Sequence, residues 1–242
     1  MSAISKPRSA LRISALRALT FAIGCLGLAW GISNFTIGAA ADDYWIIENH
    51  LLQFETFNRA TATRMLEAAA AKDLSACETH SQRALLLLEL IVADAALRSG
   101  AVREYDQHIQ ALEARTRRIL SCTPRESFVW LIAFSLEIEH GNLDEHSFDL
   151  LATSYETSPN EAWVAVRRII IAAPVLRAAP ETLREMILTE FQNLVRHGFV
   201  EIPARAYLKA SAPARALLQS RIDQLDPRSQ KFFSETLEKQ RS

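Results

Sequence analysis

Residues 122–131 read CTPRESFVWL, and thirty-five residues further on, 157–166 read TSPNEAWVAV. Each phrase contains [S/T]-P-x-E: Thr123-Pro124-Arg125-Glu126 and Ser158-Pro159-Asn160-Glu161. This is the pattern of a helix start. A Thr or Ser at the N-cap accepts a hydrogen bond from the third helical N–H, and a Glu at that third position reaches back to the cap's own N–H. Proline suits the first helical position, where no intrahelical N–H bond is lost. The pattern predicts helices beginning at Pro124 and Pro159. Phe128 and Trp163 occupy equivalent places in the two phrases, as do Val129 and Val164, so all four are expected to face one core.

Between the phrases the spacing predicts helix 124–140, a turn at His140-Gly141-Asn142, and helix 143–157. One hairpin per thirty-five residues lies close to the ~34-residue period of a tetratricopeptide unit. Ser135, Ser147 and Ser154 fall where the helices of such a unit approach closely, and Leu131, Phe134 and Leu151 fill its bulky positions. The match is partial. Ser135 stands where glycine is expected, the aromatic anchors are displaced, and the preceding hairpin is longer than a standard unit.

Apolar residues recur at three- and four-residue steps over 43–71, which predicts one long helix. Helix 80–99 ends at Ser99-Gly100, since glycine tolerates the left-handed C-terminal conformation. Helix 102–121 follows after a tight turn, making an antiparallel hairpin. Helix 159–173 precedes a break from Pro174 to Pro180. Helix 180–197 ends at His197-Gly198, a short helix covers 203–209, and two more start at Pro213 and Pro227. No strand-like alternation of any length occurs. The low content of 7 Gly and 8 Pro in 242 residues agrees with a helical chain.

The first forty residues carry a separate signal. Lys6, Arg8, Arg12 and Arg17 precede the uncharged run ALTFAIGCLGLAWGISNFTIGAAA at 18–41, and Asp42-Asp43 follow. The run has the length of a membrane span, and the flanking charges predict a cytoplasmic N-terminus. The expectation is an inner-membrane, single-pass protein with its C-terminal domain in the periplasm. The alternatives are signal-peptidase cleavage after Ala39-Ala40-Ala41, a lipoprotein box ending at Cys25, or a buried N-terminal helix. The predicted organisation is a basic cytoplasmic tail at 1–17, a transmembrane anchor at 18–41, a first helix or stalk at 42–78, and a helical-repeat domain at 79–242. The fold class is all-α: an N-terminal transmembrane helix, then a tetratricopeptide-like right-handed stack of helix hairpins, each burying its neighbour's apolar face.

Chemistry is sparse. The net charge of −1 gives no nucleic-acid signal. There is no phosphate-cradling glycine loop, no nucleophile elbow and no metal-ligand spacing, so no catalytic residue, cofactor or metal is assigned. The densest polar cluster, Glu137, Glu139, His140, Asp144, Glu145 and His146, flanks a turn where charged groups stay solvated. Arg167 follows Trp163 by four residues, so its guanidinium can lie along the indole. Arg168 points about 100° away. Two readings stand for Trp163, Arg167 and Arg168: a cation–π brace with an ion pair to Glu161 or Asp149, or a partner-binding spot. Cys77 precedes helix 80–99 and Cys122 follows helix 102–121. In an antiparallel hairpin those ends meet, so Cys77 and Cys122 are candidates for a disulfide, which an oxidising compartment favours.

The stretches ESFVWLIAFSLEIEHG (126–141), LLATSYETSPNEAWVAVRRIIIAAPVL (150–176) and LTEFQNLVRHGFVE (188–201) carry a resemblance. Across residues 120–200 the chain resembles small membrane-anchored, tetratricopeptide-like proteins of alphaproteobacteria associated with gene sets for envelope polysaccharide production. The resemblance implies a location and a context, with no assigned activity. The expected function is a periplasmic scaffold or protein-interaction module whose partners are other inner-membrane envelope proteins. The rivals are a glycan-binding accessory or enzyme subunit, and a cytosolic adaptor.

Overall fold

The computed structural model describes residues 8–52, 57–72, 74–75 and 77–241, apart from the side chains of 8–15, 33–43 and 52. No strand occurs among them. The helices are α1 (Arg8–Leu52), α2 (Arg59–Ala70), α3 (Thr79–Arg98), α4 (Val102–Cys122), α5 (Ser127–Glu139), α6 (Glu145–Thr157), α7 (Ala162–Val175), α8 (Glu181–Arg196), α9 (Glu201–Lys209), α10 (Ala212–Ile222) and α11 (Pro227–Arg241).

Neighbouring helices pair as hairpins, α3 with α4 and α5 with α6. Beyond them two layers form. Helices α5, α7, α9 and α11 pack in succession, and α6, α8 and α10 pack in succession beside them. This helical-repeat-like build buries one continuous apolar cluster running from Leu85 and Leu88 through Phe128, Phe134 and Ile169 to Phe191, Leu218 and Phe233. Gly100 and Gly141, at φ of 70° and 80°, make the turns that fold the hairpins back. In each case the glycine N–H and the N–H after it bond to carbonyls of the ending helix: Ala101 to Ala96 at 3.0 Å, and Asn142 to Glu137 at 2.8 Å. A side chain at these left-handed positions is disfavoured by roughly 1–2 kcal/mol.

The repeated phrase does not act as a capping box. Helices α5 and α7 begin after Glu126 and Glu161, which are themselves the N-caps and make no side-chain cap bond. Each helix therefore starts three residues later than the proline predicts. Thr123 to Glu126 form a turn instead, with the Glu126 N–H bonded to the Thr123 carbonyl at 3.1 Å. The Glu126 carboxylate is drawn away to Arg83, 3.0 Å distant.

The expected single helix over 43–71 is two. Asn58 caps α2, its side chain accepting from the Thr61 N–H at 2.9 Å, so the chain restarts there. The expected boundaries at 17/18 and 41/42 both fall inside α1, which runs unbroken for 45 residues.

The transmembrane anchor at 18–41 is overturned: among the described residues no helix is long and apolar enough to cross a membrane. Gly24, Gly27 and Gly31 dilute the apolar character of the earlier part of α1. The later part of α1 carries Asp42, Asp43 and Glu48 and docks on the helical stack through buried Tyr44, Glu48 and Leu51. The single-pass inner-membrane placement, with its cytoplasmic N-terminus and periplasmic domain, falls with the anchor. Nearer its start, α1 exposes Leu19, Phe21, Leu26 and Trp30, each 59–75% accessible.

Candidate functional site

Trp163 opens α7 and lies half-buried between two cations. The guanidinium carbons of Arg83 and Arg167 sit 5.0 and 5.6 Å from its ring centroid. Arg167 also donates to the Trp163 carbonyl at 3.1 Å and to the Leu51 carbonyl at 2.6 Å. Leu51 is in the last turn of α1, where unpaired carbonyls welcome a cation. Arg83 completes the clamp with bonds to Glu48 of α1 at 2.7 Å and Glu126 at 3.0 Å. Burial pulls the Arg167 guanidinium down to about 10, so it stays charged at neutral pH. The indole brace expected for Arg167 is present, and its use is to hold α1 against α3 and α7.

Arg168 points the other way and is wholly buried. Its Nε donates to both Glu190 carboxylate oxygens at 3.2 and 3.0 Å, and Nη1 donates to the Ser154 carbonyl at 2.7 Å. Nη2 reaches the Ser158 carbonyl at 3.3 Å, and the guanidinium lies 4.0 Å from the Tyr155 ring centroid. The Tyr155 hydroxyl donates to Glu190 at 2.9 Å. Ser127 and Ser154 exchange hydroxyl-to-carbonyl bonds at 2.8 and 2.9 Å beside them. This closes a buried polar network joining α5, α6, α7 and α8. Burial pushes the Glu190 carboxyl up, against the opposing pull of the Arg168 bonds and charge. Burial also lifts the Tyr155 hydroxyl well above its usual range, so it remains a donor.

Arg168 is thus withdrawn from the surface and cannot meet a partner. Its acid is Glu190, and neither Glu161 nor Asp149 pairs with it. Sequence reading missed Glu190 because the pair spans twenty-two residues and two helices. The available signal was a glutamate on the otherwise apolar stripe of Ile187, Phe191 and Leu194.

Above this network, the α6–α7 turn and α8 enclose an open groove of about 990 Å³. Ala162, Ala165, Met186, Leu194 and Phe199 supply apolar lining, while Tyr155 and Glu190 tie the groove to the network beneath. Glu156, Glu181 and Glu185 stand exposed at its edges. The buried bonds tie α6, α7 and α8 to one another directly beneath the groove.

Cys77 and Cys122 are joined by a disulfide with Cα atoms 5.2 Å apart, pinning the start of α3 to the end of α4. Three members of the polar cluster at the α5–α6 turn have partners. Glu137 accepts from Asn142 at 2.9 Å, His140 pairs with Glu113 at 3.0 Å, and Asp144 forms a capping box with Ser147 at the start of α6. Among the described residues no group of three or more His, Cys, Asp or Glu is placed to hold a metal ion.

No family model, curated protein or solved structure matches this chain.

Proposed function

We propose that this chain is a tetratricopeptide-like protein-interaction module that receives a segment of a partner protein in the groove between the α6–α7 turn and α8. The observation that supports this most is the groove itself: an open, partly apolar trough of about 990 Å³ set on a two-layer helix stack. Stacked hairpins offer extended surfaces of this kind, and a preorganised groove loses less ordering entropy on binding. The resemblance over residues 120–200 suggests envelope polysaccharide production as the setting, and that part of the reading rests on the resemblance alone.

Site-specific photo-crosslinking in producing cells tests it. A photoreactive phenylalanine at Ala162, in the groove, is expected to yield a protein adduct that reciprocal tagging of the identified partner reproduces. The same probe at Ser229 on α11 is expected to yield none. Equal labelling from both positions, or none from Ala162, overturns the reading.

A further inference from the structure

The groove's charge identifies the chemistry of its occupant. Three carboxylates stand at its edges, Glu156 at the end of α6 and Glu181 and Glu185 on α8, and no lysine or arginine lines it among the described residues. Glu185 is engaged by Arg221. Glu156 and Glu181 make no ion pair among the described residues, and both are exposed. Glu181 also lies in the first turn of α8, where its charge masks the positive end of the helix. The positive end in turn offsets part of the Glu181 charge, so Glu156 is the least compensated carboxylate of the edge.

The interior of the groove has a different character. Ala162 and Ala165 are small and leave room; Met186 is an adaptable thioether; Phe199 is 48% exposed at one end. Small residues flanked by flexible and aromatic apolar ones suit the insertion of an apolar side chain. The Glu190 carboxylate reaches the groove but is already neutralised by Arg168, so the floor offers little net charge to an entering group. The anionic character is confined to the edges.

We infer that the partner segment is basic and amphipathic: an apolar side chain seated over Ala162 and Ala165, flanked by lysines or arginines that meet Glu156 and Glu181. This rests on the groove being the docking site proposed above. Exposed charge pairs contribute modestly each and mainly steer association, so the acidic edge sets which partners approach, while the apolar interior sets how long they stay.

The test uses the full chain and a short fluorescein-labelled peptide of alternating lysine and leucine, with glutamate-for-lysine and serine-for-leucine versions as comparisons. Fluorescence anisotropy is expected to show saturable binding of the lysine–leucine peptide that weakens as salt rises. Both comparison peptides are expected to bind at least about tenfold more weakly, a difference of ~1.4 kcal/mol. The Glu156→Lys, Glu181→Lys double variant, which touches only exposed residues, is expected to weaken the lysine–leucine peptide by about tenfold. Ala162→Trp, which fills the groove from an exposed position, is expected to abolish binding while leaving the helical circular-dichroism signal unchanged. If Ala162→Trp blocks binding but the glutamate peptide binds as well as the lysine one, the groove is a docking site and the basic partner is wrong. If Ala162→Trp leaves binding intact, or no peptide binds, both the partner class and the groove are overturned.

Discussion

Phe128 and Trp163, the equivalent residues of the two repeated phrases, meet in the core with ring centroids 5.3 Å apart and planes inclined at 53°. The repetition thus has a spatial counterpart: each phrase turns the chain into a helix whose second residue reaches the same interior point. Trp163 is also the plate between Arg83 and Arg167, and through them α1 is held.

Trp163→Ala is therefore expected to loosen α1 before it unfolds the stack. Two cation–π contacts of roughly 0.5–2 kcal/mol each are lost. Arg167→Lys should act in the same direction more mildly, since an ammonium cannot fork between the Trp163 and Leu51 carbonyls. Limited trypsin digestion reads this directly: cleavage at Arg59 and Arg64, just after α1, is expected to accelerate about tenfold in Trp163→Ala, while cleavage within α7 to α11 stays slow.

Arg168→Met strands the Glu190 carboxylate in the core and is expected to cost about 3–5 kcal/mol. Arg168→Met combined with Glu190→Leu removes both charges and should recover most of that loss, leaving chiefly the unpaired Tyr155 hydroxyl. Urea titrations of the two single variants and the double give the coupling between the residues, expected to exceed ~2 kcal/mol.

The pH dependence follows from two carboxyls, one buried and one half-buried. Burial raises Glu190, opposed by Arg168, and burial raises Glu126, opposed by Arg83. A carboxyl whose native value is raised binds protons more tightly when folded. Its contribution is complete below the ordinary value of 4.5 and is lost as pH climbs through the raised native value. Thermal melts across that window are expected to show this part of the stability falling as pH rises. Glu126→Gln should flatten the slope.

The disulfide closes a loop spanning a sequence separation of 45, and the chain-entropy model assigns it ~4 kcal/mol at most. Reduction, or Cys77→Ser, is expected to lower the unfolding free energy by up to that amount. Alkylation mass spectrometry of protein purified without reductant should find only Cys25, which is exposed, modified. Both bridged cysteines lie at the surface, so mild reductant should reach them without prior unfolding.

Much of the helical order was legible because its signals are local. Ser99-Gly100 and His140-Gly141 end helices through a conformation glycine adopts readily, and three- to four-residue apolar spacing marks the faces between. The proximity of Cys77 and Cys122 followed from hairpin geometry alone. The misplaced helix starts at Pro124 and Pro159 have a physical cause: the same S/T-P-x-E letters suit a turn, and Arg83 draws Glu126 away from the cap. Arg168 could not be matched with Glu190, nor Arg167 with Leu51, because those contacts depend on how separate helices pack. The groove is a product of the same packing. The expected span at 18–41 treated an uncharged run as a membrane segment, without the information that the helix continues through Asp42-Asp43 to dock on the stack.

Amide chemical-shift mapping locates the docking surface on the full chain. The isotopically labelled full chain is titrated with the lysine–leucine peptide. Perturbed amides are expected to cluster at residues 155–165 and 181–199, on either side of the groove, with α10 and α11 unchanged. Perturbations confined to the exposed apolar part of α1 at residues 16–32, with 155–199 silent, would overturn the groove as the docking site.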